Sequence, residues 1–349
     1  MKKWMAMVVS AAAAMPAVAM ANNVDIYGRV HVSADWLDNG KDYSEFNISS
    51  NSSRLGFKGN HEINPSLKAF FQIEQQINFT IGSNDDKSQD FTTRDTFVGL
   101  SGPFGSVQLG RFDSPFKVAR GPANLFGDQV GDMRNLTRVG DGRFDERYDN
   151  TLQYTTPIFG GFSAKLGYSV HEGVTAQEDH KTDSVSLSLN YAGGPFETAL
   201  AYEQASEEAD KGERDGIRWA AAYTLTRDFK LVGFYQTLDY SGGTPAKNAQ
   251  LTADVYGAGA ELRVAAKTVV KAMWLARDAE ADDSNSDMWA LGVEHKLDKA
   301  VRLYANYAVL NNGKATTQTP WKEGRSASAP AGVADEPASG LSVGLRYDF

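Results

Sequence analysis

Leu341-Ser342-Val343-Gly344-Leu345-Arg346-Tyr347-Asp348-Phe349, the last nine residues of the chain, alternate apolar and polar side chains without a slip. Successive side chains of a strand point to opposite faces, so Leu341, Val343, Leu345, Tyr347 and Phe349 share one face. Ser342, Arg346 and Asp348 share the other. A soluble sandwich produces the same alternation, so the pattern alone leaves both architectures open. The position of the stretch decides: a strand that stops on an aromatic pair leaves an edge that needs a partner, and the first strand of the chain supplies one. There Ile26, Val30, Val32 and Trp36 stand opposite Asp25, Tyr27, Arg29, His31 and Asp35.

Upstream of that first strand, Lys2 and Lys3 precede a short apolar stretch, and Ala19-Met20-Ala21 has the small-x-small form of a secretory cleavage site. Ser10 and Pro16 interrupt the stretch, which is too short for a bilayer span. Residues 1–21 are therefore expected to be a signal peptide cut after Ala21, leaving a barrel domain of 328 residues, 22–349. Losing Lys2 and Lys3 takes the formal charge from −9 to −11, which argues against nucleic acid as a partner. A mean hydropathy of −0.40 would suit a soluble protein. A transmembrane barrel reaches the same value, because only alternate strand residues face lipid. Cys is absent, so no disulfide framework holds the chain.

One device recurs along the chain: about ten alternating residues, a turn, and another alternating run. Val185, Leu187, Leu189 and Tyr191 alternate with Ser184, Ser186, Ser188 and Asn190, and Val301 to Val309 repeat the pattern around Arg302, Tyr304 and Asn306. Arg94 to Leu100 and Phe229 to Leu238 carry apolar residues on both parities, and there the faces stay open. Short turns, such as Ala192-Gly193-Gly194-Pro195 and Thr226-Arg227-Asp228, alternate with long polar stretches, such as Asp113 to Glu146, Tyr240 to Gln250 and Asn311 to Ala338. Short turns on one rim and long loops on the other are the asymmetry of an outer-membrane barrel, and the count gives about 16 strands. Tyr154 and Phe162, Tyr191 and Phe196, and Tyr223 and Phe229 bracket short turns, as an interfacial aromatic girdle does.

Several stretches carry a family resemblance. Val24-Asp25-Ile26-Tyr27-Gly28-Arg29, Asn51-Ser52-Ser53-Arg54-Leu55-Gly56-Phe57-Lys58-Gly59, Leu67 to Glu74, Phe97-Val98-Gly99-Leu100 through Arg111, and Arg147-Tyr148-Asp149-Asn150-Thr151 through Pro157 resemble, in order and spacing, the general diffusion porins of Gram-negative bacteria. The ending on Tyr347 and Phe349 resembles the C-terminal assembly signal of outer-membrane barrels. The resemblance implies an all-β fold, a 16-stranded antiparallel transmembrane β-barrel with an inward-folded third loop. It also implies a homotrimer in the outer membrane, with lipid, lipopolysaccharide and the barrel-assembly machinery as partners. The function implied is passive diffusion of ions and small hydrophilic solutes, with no cofactor.

Asp113 to Glu146 is then the third loop, and its acids Asp113, Asp128, Asp132, Asp141 and Asp145 are the candidate constriction residues. The loop also holds Lys117, Arg120, Arg134, Arg138 and Arg143, so its charge is mixed. Arg29, Arg54, Lys58, Arg94 and Arg147 are the candidate wall cations, with Glu74 as a partner. The expectation is that Asp128 and Asp132 face this wall across water, in a ring of charge that sets ion preference. Enterobacterial relatives carry Pro-Glu-Phe-Gly-Gly in this loop. Here Asn124-Leu125-Phe126-Gly127-Asp128 lacks the acid before Phe-Gly, which weakens any expectation of cation preference. The rivals are a substrate-selective sugar or nutrient channel and an outer-membrane barrel hydrolase. Inward Tyr27, Phe70 and Tyr304 are too scattered for a sugar slide, and five His residues show neither metal-ligand spacing nor a nucleophile motif. No catalytic residue and no metal ligand is expected.

Overall fold

A computed structural model describes residues 23–80, 94–140, 144–170, 183–206, 213–241 and 243–349. The expected signal peptide, residues 1–21, and Asp141 and Arg143 lie outside the described residues. The strands are β1 (Asn23–Asp38), β2 (Ser44–Ser50), β3 (Arg54–Asn64), β4 (Leu67–Gln76), β5 (Thr96–Gly102), β6 (Gly105–Asp113), β7 (Arg147–Thr155) and β8 (Phe162–Ser169). They continue as β9 (Ser184–Gly193), β10 (Phe196–Ala205), β11 (Glu213–Thr226), β12 (Phe229–Ser241), β13 (Ala253–Ala265), β14 (Thr268–Ala279), β15 (Ser286–Lys296), β16 (Val301–Asn312) and β17 (Pro337–Asp348). All pair antiparallel in one sheet, and β17 returns to β1 from Arg29↔Asp348 to Asp38↔Ser339.

β2 and β3 occupy a single position. Val32 to Asp38 of β1 pair with β2, and Asn23 to Arg29 of β1 pair with β3, so the barrel has 16 strands, one of them broken at residues 51–53. Ser52 turns the chain there with φ +52°. Ser53 repairs the ladder: its hydroxyl accepts from the His31 N–H at 2.9 Å and donates to the His31 carbonyl at 3.0 Å. An unpaired backbone group at this depth would be costly, so a hydroxyl that supplies both bonds allows the break.

Closure ends on Phe349. Its N–H donates to the Gly28 carbonyl at 3.1 Å, and Gly28 N–H donates to the Phe349 carbonyl at 3.0 Å. The Phe349 ring lies over Gly28, where a Cβ would meet it at 2.4 Å, so glycine makes room for the terminal aromatic.

The alternation read from sequence separates two faces. Ile26, Trp36, Leu291 and Val343 are each more than half exposed on the outer wall, the band that meets lipid. Phe162, Tyr191, Phe196 and Tyr223 run ring to ring along the short-turn rim, with centroids 4.6, 6.1 and 6.4 Å apart. Inside, the wall is partly apolar, which accounts for the mixed parity of Phe229 to Leu238. Val232, Phe234 and Leu238 point inward and are buried, whereas Leu231 and Tyr235 point outward. Inward apolar residues need a cover. Leu125, Phe126, Val130, Met133 and Leu136 of the 114–146 segment provide it, in one cluster with Leu37, Ala220, Val232, Phe234, Val255, Met273, Leu275, Met288, Ala308 and Leu310. Each large side chain buried there stabilises the docked loop by about 1.5–3 kcal/mol.

Candidate functional site

The 114–146 loop leaves β6 and at once forms a short helix, α1 (Pro115–Val118). Ser114 caps it, accepting from the Lys117 N–H at 3.1 Å, and Pro115 at its first position needs no N–H partner. Pro115 rests against Gly167 of β8, and Phe116 N–H donates to the Ser186 hydroxyl of β9 at 2.9 Å. The loop returns through α2 (Arg134–Thr137) and Phe144 to β7. Both feet of the loop meet at Arg218 of β11, whose guanidinium is fully buried. It donates to the Phe116 carbonyl at 3.0 Å, lies 4.1 Å from the Phe116 ring centroid, and binds the Asp145 carboxylate and Gln236. Between the feet, Lys271 Nζ donates to the Leu125 carbonyl at 2.9 Å, and Asn306 donates to Gln129 at 2.7 Å. Gly131 (φ +91°) packs so closely on Ala290 that a Cβ would sit 2.7 Å away.

Burial sorts the mixed charge of the loop. Asp132 has no exposure and pairs with Arg134 at 2.6 Å, while accepting from the Asp128 N–H. It lies behind the loop surface rather than across water from the wall. Asp145, also without exposure, takes Arg218 and, at 3.1 Å, Arg120. Burial pushes its carboxyl up, but Arg218 and Arg120 outweigh burial and hold it down to about 2. The acids that reach the lumen are Asp113, beside Lys117 at 3.0 Å and Arg147 at 2.7 Å, and Asp128, beside Arg134 at 2.7 Å and Arg29 at 3.5 Å.

The wall residues assemble on the inner face of β1, β3, β4 and β7 and the segment before β5. Arg54 and Arg94 share the one carboxylate of Glu74, at 3.5 and 2.5 Å, which also accepts from the Tyr27 hydroxyl at 3.0 Å. Arg147 binds Asp95 as well as Asp113. Lys58 sits 5.1 Å above the Tyr27 ring, and Arg29 pairs with Asp348 at 2.7 Å. Tyr347 and Phe349 lie outside this ring, on the outer wall with their centroids 5.5 Å apart.

Sequence reasoning missed three features. Asp95 was not singled out. Inward Phe70 continues through Phe97 to Phe112 as an edge-to-face row, with centroids 6.1 and 5.7 Å apart, and Phe97 lies in the stretch whose faces stayed open. Arg218 is not among the candidate residues. Its inward neighbours Ala220 and Ala222 were the available signal, because an arginine beside small apolar side chains on one face is covered rather than wet.

The last long loop, residues 313–336, also turns inward. Gly131 N–H donates to the Pro320 carbonyl at 2.8 Å, Arg138 binds Glu323 at 3.1 Å, and Trp321 is buried in the cluster that holds the third loop. Arg325 crosses to β1 and pairs with the fully buried Asp35 at 2.7 Å, and Ser326 N–H donates to the Ser50 carbonyl at 3.0 Å. Arg325→Met strands Asp35 as a lone buried charge, so the last loop is expected to lift and single-channel current to become larger and noisier. Current identical to the parent channel would show that this ion pair does not hold the loop.

No group of three or more His, Asp or Glu among the described residues forms a metal site. The sequence profile of the Gram-negative porins matches residues 6–315. Outer membrane porin protein 32 of Delftia acidovorans is 32% identical over 316 residues, covering 86% of this chain and 85% of its own. Among solved structures, an anion-selective porin from Comamonas acidovorans superposes with a TM-score of 0.80 at 27% identity, over 94% of this chain and all of its own. OmpT of Vibrio cholerae, in its trimer form, shares the fold at 20% identity, with a TM-score of 0.67 over 94% of this chain and 99% of its own. A closed 16-stranded barrel, narrowed from within and matched along most of its length, thus belongs to the Gram-negative porin family, channels for passive diffusion across the outer membrane.

Proposed function

We propose that this porin prefers small anions, and that the 114–146 loop and the wall cations Arg29, Arg54, Lys58, Arg94 and Arg147 form its constriction. The observation that carries the reading is the unequal burial of the loop charges. Although acids outnumber bases over the whole chain, Asp132 and Asp145 are fully buried and neutralised. Five lumen-side acids, Glu74, Asp95, Asp113, Asp128 and Asp348, then face seven cations, the five of the wall with Lys117 and Arg120. Arg54 and Arg94 share one carboxylate, which leaves a local positive surplus that draws anions and repels cations. The anion-selective relative supports the same sign.

Assembly as a homotrimer belongs to this proposal, supported by the trimer form of OmpT, as do contacts with lipopolysaccharide and recognition of Tyr347 and Phe349 by the assembly machinery. The channel is non-enzymatic in this reading. The inward rings Phe70, Phe97 and Phe112 pack edge to face on one another rather than offering a flat track, which speaks against a sugar slide.

Zero-current potentials in a salt gradient test the constriction. The parent channel should be anion-preferring at 0.1 M salt, where the Debye length is about 10 Å. Arg54→Gln with Arg94→Gln should move the potential toward cations, Asp128→Asn should move it toward anions, and both shifts should shrink at 1 M, where screening falls to about 3 Å. A cation-preferring parent channel would overturn the proposed sign. Unmoved potentials in all three substitutions would overturn the assignment of the constriction.

A further inference from the structure

We propose that Lys165 is a second selectivity-determining cation of this channel, an anion-attracting site on the short-turn side of the constriction. The inference rests on the anion preference proposed above and extends it to a residue outside the constriction ring. β8 rises from the short turn at Gly160-Gly161, and its outer face carries Phe162, Leu166 and Tyr168, each exposed. Lys165 therefore points inward, one inward position below Gly167, where Pro115 of the constriction loop abuts the wall. A solute that has passed the loop meets this side chain next.

Its surroundings set it apart from the cations of the opposite wall. There the charges are matched or covered: Lys230 pairs with Glu261, Lys271 with Glu294, and Arg302 with Glu294 and Asp348, while Arg277 is buried and donates to the Gln250, Leu251 and Ser284 carbonyls. Lys165 is half-buried among uncharged groups. Its register partners are Thr155 on β7 and Ser188 on β9, and Gln153 and Asn190 hold neighbouring inward positions. Among the described residues it forms no ion pair, hydrogen bond or ring contact. A lumen cation with no carboxylate beside it acts on passing ions with its full charge, whereas the paired cations opposite act largely as dipoles. The neutral amides and hydroxyls around it add hydration without cancelling that field.

Lys165→Glu should lower the anion-to-cation permeability ratio about sevenfold at 0.1 M salt, because reversing one charge about 7 Å from an ion in water shifts anion and cation about two- to threefold each, in opposite directions. Lys165→Gln should give roughly half of that effect on a logarithmic scale, and Lys165→Arg should leave the ratio unchanged. Because the inward neighbours are uncharged, Gln at this position also serves as the variant that keeps the wall intact. The effect should be larger when the dilute side of the gradient faces the short-turn rim. A ratio for Lys165→Glu equal to the parent value overturns this assignment alone, whatever the parent's own sign. A cation-preferring parent channel overturns the reading on which it rests, independently of the Lys165 result.

Discussion

Asp145→Ala will undock the 114–146 loop while leaving the barrel intact. Removing this carboxylate strands the Arg218 guanidinium, which has no exposure and no other acid among its contacts, and breaking such a pair costs about 3–5 kcal/mol. The loss falls on the loop, because the strand ladder on either side of Arg218 consists of backbone bonds that the substitution does not touch. Single-channel recordings should show a noisier open current, and the 114–146 segment should become sensitive to protease in intact, heat-resistant protein. Adding Arg218→Met should recover much of the quiet current, since both buried charges are then gone and the apolar packing of Phe116, Phe144 and Tyr240 remains. A single variant as quiet as the parent would show that hydrophobic packing alone holds the loop. The same pair predicts a pH dependence. Its folded carboxyl is depressed to about 2 from the ordinary 3.8, so its stabilisation is full above about pH 4 to 5 and is lost as pH falls through the folded value. Loop noise should therefore rise in that acid window and not on the alkaline side.

Deleting Phe349 will lower the amount of folded protein in the outer membrane several-fold while export across the inner membrane continues. The residue exchanges both of its backbone bonds with Gly28, the last such pair in the seam between β17 and β1, and its ring fills the space that Gly28 leaves open. Each backbone bond contributes about 0.5–1.5 kcal/mol net, and an unclosed seam leaves bare edge groups where lipid offers no partner. Phe349→Tyr should restore assembly because it keeps the ring and both bonds. Heat-resistant protein at parental levels in the deletion strain would remove Phe349 from the assembly role proposed for it.

The sequence alone determined the sheet and its closure. A period of two is a local property, visible within nine residues at Leu341 to Phe349, and the same parity placed Ile26, Trp36, Leu187 and Val343 on the outer wall where the structure has them. The alternation of short turns with long loops fixed the strand count and the two rims, because turn chemistry is also local. The charge of the pore was not legible in this way. Asp128, Asp132 and Asp145 look alike in the sequence, yet one meets the lumen and two are sealed away, because burial depends on partners such as Arg218, Lys271 and Asn306 that come from strands far along the chain. The inward apolar residues of Phe229 to Leu238 blurred the parity for the same reason: they serve a loop docked from elsewhere. Alternation records which side of the wall a residue takes. Only the tertiary structure decides whether that side is covered or wet.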